Sequence, residues 1–328
     1  MPASSPPGSK LVSLVVPIYC EQEVVGEFYR RAKTALSSLG PRLHHEIVFV
    51  DDGSTDGSLA ALRDIASRDP HVRVVNLSRN FGHQKAITAG LDHAAGDAVV
   101  VIDGDLQDPP EVVCDMVRVW DEQGVKVVYG VREERRGESA FKTLSAKLFY
   151  RLVGRLAESE LANDSGDFRL MDRAVVSVLT TMREESRYMR GLMSWVGFSQ
   201  YALRYKRDPR YAGHTKYPLR KMVRLGADAI TSFSERPLKI ATGFGVFVTG
   251  LSLLLACWII VGKIVTPERV VQGWTSMMVT VLFLGGVQLL SIGVLGEYIA
   301  RVYRETKHRP LYVVAERYGF GTDDGCEK

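Results

Sequence analysis

Cysteine is scarce in this chain: four residues in 328, at positions 20, 114, 257 and 326. No CxxC and no Cys/His spacing brings any two of them together, which leaves a zinc site and a disulfide framework without support. The simplest setting for the polar part is a reduced, cytosolic one. No charged segment followed by a short apolar core opens the chain. The Pro/Ser-rich start, MPASSPPGSK, reads as a disordered N-terminus over 1–10 and not as a signal peptide. No G-x-G-x-x-G follows the first strand-like run, and there is no Walker A sequence, so a dinucleotide fold and a P-loop are both unsupported. No internal repeat is visible, and a formal net charge of +4 gives no reason to expect a nucleic-acid partner.

Two other stretches lack charge altogether. Residues 240–262 carry none in 23 positions and residues 270–296 none in 27. A helix needs about 20 apolar residues to cross a bilayer. Both are expected to be transmembrane helices, at about 240–262 and 273–296, forming a hairpin over 238–300. Lys216, Arg220, Lys221, Arg224, Arg236 and Lys239 precede the first, and Arg301, Arg304, Lys307 and Arg309 follow the second. The intervening loop holds only Lys263, Glu268 and Arg269. Positive residues stay inside, so the N-terminal part and the C-terminal tail (301–328) are both expected to be cytoplasmic. Within 216–237, apolar residues recur at helical spacing beside Arg220, Lys221 and Arg224, which reads as an interfacial helix on a lipid bilayer.

What the chain does have, over 11–215, is alternation. Strand-like runs at 11–17, 46–52, 72–78, 98–103 and 126–130 are separated by helix-period stretches at 22–39, 57–67, 84–95 and 110–123. This predicts an α/β domain with a mostly parallel sheet and helices on both faces. Ligands in such sheets sit at the carboxyl ends of the strands. Those ends are polar here: Pro17, Tyr19 and Glu21; Asp51 and Asp52; Arg79 and Asn80; Asp103 and Asp105. The fourth run drives straight into VIDGDLQDPP, placing Asp103, Asp105 and Asp108 within six positions. Asp103 and Asp105 project to one side of an extended backbone. Two hard oxygen ligands so spaced suit Mg²⁺ or Mn²⁺ bridging to a diphosphate. The alternative is a pair of turn-forming aspartates before Pro109-Pro110. For DDGS at 51–54, the alternative is a turn and helix cap.

VVPIYCEQE, VFVDDGSTDGS, NFGHQKAITAGLDHAAGD, DGDLQDPPE and GDFRLMDR, in that order, resemble the successive motifs of family 2 glycosyltransferases of the GT-A fold. With the two charge-free runs, the resemblance is to the polyprenyl-phosphate branch, nearest the bactoprenol (undecaprenyl-phosphate) glucosyltransferases and further from dolichol-phosphate mannose synthase. It covers about 11–310. It implies an inverting, metal-dependent transfer of a hexose, glucose first, from a UDP-sugar to undecaprenyl phosphate. The setting it implies is the cytoplasmic face of a bacterial inner membrane, in a homo-oligomer with a tetramer as one form. N-acetylglucosamine, mannose and a modified arabinose are the alternative sugars.

The resemblance also implies roles. Pro17, Tyr19 and Glu21 line the nucleotide-base pocket, with Cys20 where the family usually has Asn. Asp51 and Asp52 meet the uridine and ribose. Asn80, Gly82 and Lys85 lie near the diphosphate and sugar, with Gln107 close to the metal pair Asp103 and Asp105. Asp167 is the candidate base or acceptor-positioning carboxylate. A polyprenyl phosphate is already largely ionised near neutral pH, so its oxygen has little proton to lose, and Asp167 could instead orient Arg169 or a sugar hydroxyl. Arg132, Lys142 and Ser145 are the candidates for the acceptor phosphate, since Arg forks fit phosphate oxygens. A second basic cluster over 207–217, with Arg207 and Lys216, could act as a lid. Three rivals are weaker. A haloacid-dehalogenase-type phosphatase leaves Asp51-Asp52 unexplained. A processive polysaccharide synthase needs more spans and a Q-x-x-R-W motif. A membrane-anchored nucleotide-sugar sensor would bind UDP without turnover.

Overall fold

The computed structural model describes residues 9–132, 165–185, 187–207, 242–248, 274–320 and positions 250, 251, 254 and 258. It divides into two units: 1–146, 160–217 and 309–328 in one, and 147–159 with 218–308 in the other.

The first unit is built on an eight-stranded sheet in the order β7-β5-β6-β4-β1-β2-β3-β8. In chain order, β1 (Lys10–Ile18), α1 (Val25–Ser37), β2 (Leu43–Asp51), α2 (Ser58–Arg68), β3 (Val72–Leu77), α3 (His83–His93), β4 (Ala98–Val101), α4 (Val112–Gln123) and β5 (Val127–Arg132) keep the predicted alternation. Then come β6 (Ser165–Asp172), α5 (Arg173–Thr181), α6 (Met189–Val196), β7 (Gln200–Tyr205) and, near the C-terminus, β8 (Val314–Tyr318). β1 pairs in parallel with β2 and β4, β2 with β3, and β5 with β7. β6 is antiparallel to both β4 and β5, and β8 is antiparallel to β3.

Burial on both faces explains the continuous apolar runs. In β1, residues 12–18 are all buried. Leu14, Val16 and Ile18 face a core closed by α1, α2 and α4, where Phe28, Leu62 and Val113 pack. Val15 joins Val48 and Val50 in a second core under α3, α5 and α6. In α1 the buried set Val25, Phe28, Ala32, Ala35 and Leu36 recurs at helical spacing, giving one apolar stripe against the sheet. Each fully buried Val, Leu or Phe contributes about 1.5–3 kcal/mol.

Two elements go beyond the sequence reading. β6 lies between β4 and β5, with Val101 opposite Arg169. β8 comes from the segment read as a tail, and it extends the sheet at the β3 edge.

In the second unit, residues 242–248 are helical and a long helix, α7, runs over Trp274–Glu305. Among the described residues one helix is long and apolar enough to cross a membrane, over Phe283–Glu305. The second expected span lies within α7, which continues beyond position 296 through Glu297 and Arg301. The first expected span falls mostly, and the interfacial helix of 216–237 wholly, outside the described residues.

Candidate functional site

The parallel strands β1 to β4 end at one edge of the sheet, and β6, running the other way, begins there. Arg169 is level with Val101, the last residue of β4. Asp167, two residues earlier on β6, therefore lies beyond the β4 end, beside Asp103. This antiparallel insertion is what brings a carboxylate from late in the chain to the DxD loop.

His83, the first residue of α3, joins the two carboxylates. Its Nε2 is 3.3 Å from Asp167 Oδ2 and 3.4 Å from Asp103 Oδ1. Burial alone would lower the imidazole pKa, but the Asp167 hydrogen bond and the two negative charges push it up to about 9. Gln84 Nε2 donates to Asp167 Oδ2 at 3.1 Å, and Arg190 Nε donates to Oδ1 at 3.1 Å. Burial works against the Asp167 anion, yet His83, Arg190 and Arg169 hold its carboxyl far below the usual range. Asp167 is thus a fixed anion with little basicity. Asp103 goes the other way: burial, with Asp167, Asp105 and Asp108 nearby, raises it to about 6.

Asp105 Oδ1 accepts from the Gln107 amide at 3.1 Å. Between them Leu106 adopts φ 59 while its side chain is buried. A non-glycine residue there carries backbone strain of the kind found at ligand loops. Gly104 lets the loop lie against β1, since a Cβ would stand 2.3 Å from Ile18 Cδ1. Among the described residues no three His, Cys, Asp or Glu side chains are arranged to hold a metal ion. Two carboxylates remain suitable for a hard divalent cation that takes its other ligands from substrate phosphate and water.

The two aspartates after β2 divide their work. Both Asp52 oxygens are taken, accepting from the amides of Phe81 (2.7 Å) and Gly82 (2.9 Å), so Asp52 fixes the loop that starts α3. Asp51 accepts from the Ser54 amide through Oδ2 at 3.2 Å, while its Oδ1 is buried with no hydrogen-bond partner. Burial raises both carboxyls. Asp51 is the one with an acceptor to spare. The rest of that motif braces the β1 loop: Ser54 Oγ and Ser58 Oγ accept from the amides of Cys20 and Glu21, both at 2.9 Å. Pro17 lies in β1, and Tyr19 beyond it is 43% exposed, free to stack on a base. Asn80 is exposed, its carbonyl accepting from Arg79 Nη1 at 3.1 Å. Lys85 Nζ pairs with Glu185 at 2.7 Å.

Asp108 does not join the DxD pair. It is fully buried and accepts from Tyr205 Oη at 2.5 Å, with Arg207 Nε at 3.2 Å and Arg132 Nη2 at 3.5 Å. Two guanidiniums on one carboxylate leave a positive excess at the ends of β5 and β7. Arg169 is buried, donating through Nη2 to the Gly166 carbonyl at 2.9 Å, and lies behind Asp167. Lys142, Ser145 and Lys216 lie outside the described residues.

Sequence reasoning missed His83, Gln84 and Arg190. The first two had a signal: polar residues opening a helix directly after a strand end. Arg190 had none, because only the tertiary fold brings α6 to Asp167.

Residues 13–180 match the family described as glycosyl transferase family 2, and residues 236–302 match the GtrB C-terminal hairpin. The chain is 47% identical to the "uncharacterized glycosyltransferase YkcC" of Bacillus subtilis, covering 94% of each protein. It is 41% identical to the bactoprenol glucosyl transferase of Shigella phage SfV, covering 92% of this chain and 97% of that protein. It is 40% identical to a prophage bactoprenol glucosyl transferase homolog of Escherichia coli, covering 92% of this chain and 98% of that protein.

Proposed function

The chain belongs to glycosyl transferase family 2, and on that premise we propose that it moves glucose from UDP-glucose to a polyprenyl phosphate, undecaprenyl phosphate in the cell. The observation that carries the reading is the meeting of Asp103 and Asp167 across His83 at the strand ends, in a chain several of whose full-length relatives bear the bactoprenol name. The acceptor phosphate oxygen forms a bond to the anomeric carbon as the bond from that carbon to UDP breaks, from the opposite side, with inversion. The oxygen arrives already ionised, so no base is required. This agrees with a deeply depressed Asp167, which positions groups and does not accept a proton.

Asp51 offers its spare oxygen to the uridine N–H or ribose hydroxyl, with Tyr19, Pro17 and Glu21 alongside. Asp103 and Asp105 would hold Mg²⁺ or Mn²⁺, whose chemistry is to offset charge developing on the leaving diphosphate. Lys85 and Asn80 border the diphosphate. The positive excess of the Arg132–Asp108–Arg207 group draws the acceptor phosphate, with Lys142 and Ser145 assigned by family resemblance and Lys216 from its basic cluster, while Arg169, buried behind Asp167, supports that carboxylate instead.

Strand β8 supports the membrane arrangement. It pairs with β3, so the residues before and after the hairpin lie on one side of any bilayer. A single crossing would separate them, and an even number would not. That pairing favours a two-span hairpin, while the flanking positive charge supports a cytoplasmic side for the catalytic unit and the C-terminus, and the family resemblance implies a homo-oligomer.

The test is transfer by the full chain in detergent with undecaprenyl phosphate, Mg²⁺ or Mn²⁺, and a panel of labelled UDP- and GDP-sugars. Label entering the lipid phase from UDP-glucose and from no other donor is expected. Entry from UDP-N-acetylglucosamine or another donor would reassign the sugar, and UDP binding without transfer would point to a sensor.

A further inference from the structure

The helix that presents His83, Gln84 and Lys85 to the site also carries, at its far end, a carboxylate that reaches the C-terminal segment. Asp92 Oδ2 accepts from Tyr312 Oη at 2.6 Å. The same carboxylate takes both arms of Arg183, at 2.7 and 3.0 Å. The group is sheltered, with the Asp92 side chain 12% exposed and the His93 ring packed against Tyr312 and Phe320 at centroid distances of 6.4 and 5.8 Å.

Arg183 opens the segment that supplies the other wall of the site. Glu185 pairs with Lys85 at 2.7 Å, the Met189 amide donates to Gln84 Oε1 at 2.9 Å, and Arg190 holds Asp167 at 3.1 Å. Residues 183–190 are therefore fastened to α3 at both of its ends. At the far end, the fastening carboxylate is shared with Tyr312, a residue that enters the chain only after the long helix ending at Glu305. A carboxylate held by three donors is fixed in one orientation, and removing one leaves the Arg183 fork freer to swing.

Resting on the transfer reading above, we propose that Tyr312 is a positioning residue: through Asp92 and Arg183 it sets the 183–190 segment, and with it Arg190 against Asp167. The segment from Tyr312 into β8 is then part of the site's framework, and not only an edge cover for the sheet.

The test compares Tyr312→Phe with Glu316→Gln in the full chain. Glu316 lies on β8, four residues further along the same segment, and holds Arg63 and Tyr318, away from Asp92. Amide exchange over 183–190 and transfer kinetics are read together. Tyr312→Phe is expected to speed exchange over 183–190 about tenfold and to lower kcat with the UDP-sugar KM unchanged, with Glu316→Gln doing neither. Equal effects in both variants would reduce Tyr312 to general strand docking. Unchanged exchange over 183–190 in Tyr312→Phe, or faster exchange with unchanged kcat, would also overturn the proposal. Exchange needs no turnover, so an inactive wild-type protein would count against the transfer reading alone.

Discussion

Asp167 accepts from His83 Nε2 at 3.3 Å, and the same nitrogen stands 3.4 Å from Asp103. One imidazole thus links the carboxylate that follows β4 to the carboxylate that β6 carries. Asp167→Asn keeps the shape but removes the charge that orders His83 and Arg190. It is expected to lower kcat by roughly 10²-fold with the UDP-sugar KM little changed. A KM that rises in step with the fall in kcat would assign Asp167 to donor binding instead.

Asp105→Ala removes one of the two oxygens assigned to the cation. Isothermal titration with UDP, with and without Mn²⁺, should show a Mn²⁺-dependent gain in wild type that the variant lacks. Transfer should stop on chelation and return when the ion is restored.

The neighbouring Asp51 and Asp52 should separate cleanly. Asp52→Ala strands two loop amides, those of Phe81 and Gly82. An unsatisfied buried donor costs about 1–3 kcal/mol, so a lowered Tm is expected. Asp51→Asn should leave Tm nearly unchanged and weaken UDP binding by about tenfold, one hydrogen bond's worth. Calorimetric melting and UDP titration of the same two variants decide it.

Acid stability has a named contributor away from the site. Asp69 accepts from Tyr29 Oη at 2.7 Å and the His71 amide at 3.0 Å, and pairs with Lys33 at 2.8 Å. Burial would raise its carboxyl, but the Lys33, His71 and Tyr29 hydrogen bonds outweigh that and hold it at about 2, below the unperturbed 3.8. A depressed folded-state value stabilises above the unfolded pKa, and the contribution is lost as pH falls through the folded one. Unfolding free energy should therefore drop between about pH 4 and pH 2, by at most about 2 kcal/mol. In Asp69→Asn that portion of the slope should vanish in urea titrations across the range.

Much of this was legible in the sequence. The strands and helices up to β5 follow from apolar periodicity, and the polar strand ends mark the site because every βα unit repeats the same geometry. Asp103, Asp105, Asp51 and Asp167 stand at that edge. What periodicity could not carry was pairing direction. GDFRLMDR reads as a motif, and nothing local says that it runs against β4 and separates β5 from it. Arg132 and Arg207 look like free cations in the sequence, yet both lie against Asp108, because a buried carboxylate recruits partners that only the tertiary fold supplies. The strand at 314–318 is short and rich in charge, and its partner lies near the other end of the chain.

That last pairing orders the protein's birth. Until Val314–Tyr318 leaves the ribosome, the β3 edge of the sheet stays open, with unpaired backbone groups of the kind that recruit foreign strands. Residues 236–302, which match the GtrB C-terminal hairpin, are synthesised during that interval, so the sheet that precedes them in sequence is completed only after them. A chain cut short after the hairpin would still carry an open edge, which makes the last stretch of translation the step that closes the sheet.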